Sequence, residues 1–111
     1  MKFSYEDHGQ VTVLTISGEL TADEADAFRR SCQERFAAGV KDVVLDLEHL
    51  MLIDSSGLEQ LLWLMEELAD INGQLRIVNP DDTIAKILEI TRLDRRFNIH
   101  ETIEAAAKSL R

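Results

Sequence analysis

Cysteine is nearly absent from this chain: a single residue, Cys32, in 111 positions excludes an internal disulfide. No Cys/His cluster has zinc-like spacing, so no metal is expected, and Cys32 is expected to pack as a small core residue. Proline occurs once, at Pro80, and there is no Gly/Ser linker, low-complexity tract or internal repeat. Residues 1–111 therefore read as one domain. Basic residues are also scarce, with 12 Lys and Arg against 21 Asp and Glu leaving a formal charge of −9. That balance repels a phosphate backbone or an anionic bilayer, so neither nucleic acid nor membrane insertion is expected. No apolar run approaches the roughly 20 residues that span a bilayer. Met1 to Asp7 lack the apolar segment of a signal peptide, and a cytoplasmic location is expected.

Hydrophobic periodicity is plentiful. Phe3 and Tyr5, then Val11, Val13 and Thr15, alternate at period two around His8-Gly9-Gln10 and predict a hairpin. Thr21-Ala22-Asp23-Glu24 fits a capping box with Thr21 as N-cap, followed by Ala25, Phe28, Cys32 and Phe36 at helical spacing and a stop at Gly39. Val43, Val44, Leu45 and Leu47 predict a buried strand. A second helix is predicted from about Gly57 to Ile71, ending at Asn72-Gly73.

Leu75, Ile77 and Val78 predict another strand, and Asn79-Pro80-Asp81-Asp82 a helix start with Asn79 as cap and proline at the first helical position. Ile84, Ile87, Leu88 and Thr91 form the inner face of that helix. A short edge strand near Phe97 and Ile99 and a helix carrying Ile103, Ala106, Ala107 and Leu110 complete the order ββαβαβα(β)α. The fold class is α/β, a sandwich with a mixed, mostly parallel sheet of four to five strands packed with about four helices.

The segment Asp54-Ser55-Ser56-Gly57-Leu58 lies where a parallel strand feeds a helix, the usual place for a site in such sheets. Unpaired amides and the helix dipole there favour negative charge, so a serine at this corner can carry a phosphate. Ser56 through Glu59 matches S-x-x-E, which makes Ser56 the expected N-cap and leaves Ser55 just outside the helix. Ser55 is then either a modified hydroxyl or a plain cap residue. Gly57 lacks side-chain bulk and is expected to let another protein approach the backbone.

Met51 and Leu52 are apolar in a connection that ought to be polar, and either form a contact surface or close the bottom of the core. On a helical wheel Leu58, Leu61, Leu62, Met65, Leu68 and Ala69 share one face, whereas Trp63 falls among Glu59, Glu66 and Glu67. Trp63 is either a protein-binding anchor or covered by a neighbouring element. Hydrolase chemistry is disfavoured, because the string lacks a Gly-x-Ser-x-Gly elbow and Asp54 beside the serine would oppose an oxyanion. His8, His49 and His100 have no ligand-like spacing, no phosphate-binding Gly-x-x-x-x-Gly-Lys loop is present, and no cofactor is expected.

Leu45-Asp46-Leu47, the spacer and Ile53-Asp54-Ser55-Ser56-Gly57-Leu58 resemble the signature of STAS domains, specifically the bacterial anti-sigma factor antagonists. The resemblance extends to Gly18-Glu19-Leu20 and Gly73-Gln74-Leu75 and covers essentially the whole chain. It implies a STAS-like sandwich and Ser55 as the acceptor of a phosphate from a partner that is both serine kinase and anti-sigma factor. A PP2C-like phosphatase would reverse the modification. It further implies partner switching, in which the unmodified protein binds the kinase and frees its sigma factor. Thr21 stands where many relatives have an acid, and Glu59 where a small residue is common; both positions would face the partner. The alternative that the resemblance supports is a non-switching STAS subunit of a phospholipid-transport ABC complex or a stress-signalling scaffold.

Overall fold

A two-residue turn at Gly9-Gln10, with Gly9 at φ +63°, joins β1 (Lys2–His8) to β2 (Val11–Leu20) as the expected antiparallel hairpin, in register from Lys2 opposite Ser17 to His8 opposite Val11. The structure, a computed structural model, describes residues 1–110. The phase of the hairpin is more complicated than alternation suggests. Thr12, Leu14 and Ile16 are fully buried toward the main core, while Val11 and Val13 point to the other face and border a second, smaller cluster with Val44, Val78 and Ala106. Both faces of β2 carry apolar residues, so period two alone cannot say which side is inside.

From β2 the sheet continues in parallel through β3 (Asp42–Asp46), β5 (Leu75–Val78) and β6 (Ile99–His100). β4 (Leu50–Ile53) pairs with the end of β2, where the register shifts between Gly18 and Glu19. β4 raises the strand count to six and replaces the turn expected around Met51 and Leu52. Its ends, Leu50 and Ile53, are buried while the two residues between them are exposed, a pattern that neither helix nor strand periodicity reports.

Three helices cover one face: α1 (Ala25–Ala37), α2 (Ser55–Asp70) and α3 (Asp82–Ile90). Phe28, Cys32, Leu61, Leu64, Leu68, Ile84 and Leu88 meet Leu14, Ile16, Leu45 and Ile77 in the main core. Leu58, Leu62 and Met65 flank that core, whereas Ala69, placed on the inner face by the wheel, is exposed. Thr91 is likewise exposed and turns its hydroxyl back onto the Ile87 carbonyl at 2.8 Å. α4 (Ile103–Lys108) packs on the opposite face through Ala106.

Asn72, at φ +60°, terminates α2, and the Gly73 amide donates to the Leu68 carbonyl at 2.7 Å. α3 starts two residues later than expected. Asn79 has a left-handed backbone at φ +54°, not the extended one of an N-cap, and its amide still donates to the His100 carbonyl of β6 at 2.9 Å; Asp81 is extended and caps instead, accepting from the Ile84 amide at 2.9 Å.

Candidate functional site

The ends of β2 and β4 converge on the start of α2, and one carboxylate organises the corner. Asp54 has an extended backbone and is the N-cap: its Oδ1 accepts from the Gly57 amide at 2.8 Å. Its Oδ2 accepts from the Ala22 amide at 3.1 Å, at the start of a single 3-10 turn (Ala22–Glu24) that leads into α1. Neither residue expected to cap does so. The Thr21 side chain makes no cap hydrogen bond, and Ser56 lies inside the helix. Asp, Ser and Thr rank closely as caps, and pattern matching could not see that Asp54 reaches both helix starts.

Displacing the cap to Asp54 changes the standing of the serines. Ser55 is the first residue of α2, not a residue outside it, and it is exposed; Ser56 is half-buried. Neither hydroxyl makes a hydrogen bond among the described residues. The first turn of α2 carries no acidic residue of its own, and the one carboxylate at this helix end is that of the cap, Asp54. An exposed hydroxyl with no structural duty thus sits beside amides that attract anions.

Gly57 has a different role from the one expected. It is buried, and a Cβ there would lie 2.2 Å from the Leu20 carbonyl oxygen and 2.5 Å from Ile53 Cγ1. The backbone that approaches it is the end of β2, not another protein. Met51 and Leu52, 72% and 43% exposed, form an apolar rim next to the site, and Glu59 is exposed one turn along α2.

Trp63 takes the second of its two expected positions. Its half-buried ring packs against Phe28 and Phe36 of α1, with centroids 6.5 and 6.4 Å away, and the Arg29 guanidinium lies 4.9 Å above it. Arg29 Nε also donates to the buried Gln60 Oε1 at 2.6 Å. This α1–α2 contact escaped the wheel because an isolated wheel has no neighbouring helix. A polar Gln60 one turn from tryptophan, with Arg29 on the preceding helix, was the available signal.

Cys32 is fully buried as expected, and burial pushes its thiol up to about 12. His8 and His49 lie beside Glu6 and Glu48 at 3.1 and 3.9 Å on the surface. Among the described residues no group of three or more His, Cys, Asp and Glu side chains could hold a metal, and no helix is long and apolar enough to cross a membrane.

A family model described as STAS domain matches residues 2–106. An anti-sigma F factor antagonist of Lysinibacillus sphaericus is 28% identical over 85 residues, 76% of this chain and 73% of its own. The crystal structure of an anti-sigma factor antagonist from Mycobacterium paratuberculosis superimposes with a TM-score of 0.85 at 26% identity, covering 98% of this chain and 92% of that one. The Bacillus cell fate determinant SpoIIAA in its phosphorylated form is similar with a TM-score of 0.74 at 26% identity, over 96% of this chain and 97% of its own.

Proposed function

The chain belongs to the STAS domain family, and on that footing we propose that it is an anti-sigma factor antagonist, a protein-binding module switched by phosphorylation of Ser55 and not an enzyme. The observation that carries this reading is the division of labour at the start of α2. Asp54 supplies the cap, so the exposed Ser55 hydroxyl is left with no structural task. The names of the relatives support the antagonist role, and the phosphorylated SpoIIAA structure supports a switch of this kind in a protein of the same architecture.

The partner is a serine kinase that is also an anti-sigma factor. Unmodified, the protein binds it through Met51, Leu52, Glu59 and the Thr21 turn, with Asp54, Ser56 and Gly57 shaping the loop, and the bound sigma factor is released. The kinase then transfers the γ-phosphoryl group of ATP to Ser55 Oγ; a new O–P bond forms, ADP leaves, and the serine proton passes to a base on the kinase. The phosphate adds about −1.5 to −2 charges beside the apolar rim, which disfavours a complementary apolar or acidic surface. The helix N-terminus keeps the phosphoserine tolerable in the free protein, so affinity changes while the fold does not. A PP2C-like phosphatase restores the binding form. The residues act together as one cytoplasmic STAS domain, without a resident cofactor.

The test compares the kinase affinity of wild type, Ser55→Ala and Ser55→Asp, with mass measured after incubation with kinase and ATP. Wild type should gain one phosphate and Ser55→Ala none, with Ser55→Asp binding more weakly than either. Equal affinities for all three proteins would reject the switch. Stable co-purification with a transporter ATPase, with no phosphate gained, would support a permanent subunit instead.

A further inference from the structure

On the face of the sheet opposite α2, α4 covers only part of the surface and leaves a groove of about 520 Å³ against β2 and β3. Val11, Val13 and Val44 form its floor, and Ala107 and Leu110 stand on the α4 side. Its rim is acidic: Asp42 and Glu104 border it, with His8 at the hairpin end. Asp42 also holds the Gln74 amide at 2.9 Å, and Glu104 meets Lys108 at 3.2 Å in an exposed pair. An exposed pair of this kind is weak and leaves Glu104 available to another cation.

We propose that this groove is a docking surface for a basic amphipathic helix of a partner protein, separate from the corner that holds Ser55. Two properties select that chemistry. A flat floor of β-branched side chains between a hairpin and a helix suits apolar anchors spaced at i, i+3 and i+4, the pattern of helix-in-groove recognition. Carboxylates on the rim of a chain whose charge is −9 steer and orient a cationic partner and repel an acidic one. Because the sheet separates the groove from α2, the protein can hold this second partner whether or not Ser55 is modified.

The experiment uses the intact protein and a synthetic Leu/Lys peptide with leucines at i, i+3, i+4 and i+7, followed by amide chemical shifts and fluorescence anisotropy. Shifts should concentrate on Val11, Val13, Val44 and Ala107. Ala107 is exposed, so Ala107→Trp fills the groove without entering the core; it should weaken binding by about tenfold or more. Glu104→Lys should weaken it several-fold at low salt. Ser55→Asp should leave peptide affinity unchanged. The proposal is overturned if a peptide of the same composition with scattered leucines binds equally well, if shifts spread over the Glu-rich surface of α2, or if Ala107→Trp has no effect. It is equally overturned if the same amides shift with protein concentration alone, which would mean that a second copy fills the groove.

Discussion

Ala22 and Asp54, 32 positions apart, are joined by a hydrogen bond from the Ala22 amide to Asp54 Oδ2, while the other oxygen of the same carboxylate caps α2 through Gly57. One side chain therefore fixes the start of two helices. Asp54→Ala should destabilise the protein by about 1–2 kcal/mol, the upper range for losing an N-cap, because a second amide loses its partner too. Ser56→Ala should stay within about 0.5 kcal/mol, since its hydroxyl serves no backbone group. Urea unfolding of the two variants measures the difference, and similar losses for both would contradict the cap assignment.

The glycines should rank by what surrounds them. Gly57→Ala pushes a Cβ to 2.2 Å from the Leu20 carbonyl oxygen, and Gly73→Ala to 1.7 Å from that of Lys41, so both force backbone apart. Losses of about 1–3 kcal/mol or more are expected at these two sites. Gly9→Ala meets no atom within 4 Å and suffers only from its φ of +63°, a loss of roughly 1 kcal/mol. Thermal midpoints should be highest for Gly9→Ala, lower for Gly57→Ala and lowest for Gly73→Ala.

Much of this architecture is legible in the amino-acid pattern, for reasons that individual residues make clear. Phe28 and Cys32, or Ile84 and Leu88, repeat at the helical period because each helix packs against a single layer, and they lie buried as expected. β4 is illegible because a four-residue strand with exposed Met51 and Leu52 between buried ends has no period. The corner holding Ser55 is identifiable from Asp54-Ser55-Ser56-Gly57, but which of three polar residues caps α2 is not. Asp54 caps through a local bond from the Gly57 amide, and only its second bond, from the Ala22 amide, comes from a distant turn that the local pattern does not contain.

Trp63 offers a direct test of packing against surface exposure. Its ring is enclosed by Phe28, Phe36 and the Arg29 guanidinium. Trp63→Ala should therefore destabilise by roughly 2–3 kcal/mol, short of the full loss at a completely buried aromatic. Arg29→Ala should produce a smaller loss and shift the tryptophan emission to longer wavelength as water reaches the ring. An unchanged stability in Trp63→Ala would return the residue to the solvent-facing role.

Cys32 predicts how stability depends on alkali. Its thiol titrates ordinarily at 9.0, whereas burial raises it to about 12 in the folded protein. Between those values the unfolded chain loses the proton and the folded one keeps it, so the unfolded state binds fewer protons and stability falls as pH rises. The contribution is intact below 9.0 and shrinks toward about 12, by up to roughly tenfold in the folding equilibrium per pH unit. The informative quantity is the difference between wild type and Cys32→Ala, in which contributions common to both proteins cancel. The variant should start lower because it leaves a small cavity, yet lose less stability between pH 9 and pH 11. Reaction of the native thiol with an aromatic disulfide reagent at pH 8 should follow the opening of the α1 contact and accelerate with urea. A fast, urea-independent reaction would show that Cys32 is reached without unfolding, and would remove the basis for the pH effect as well.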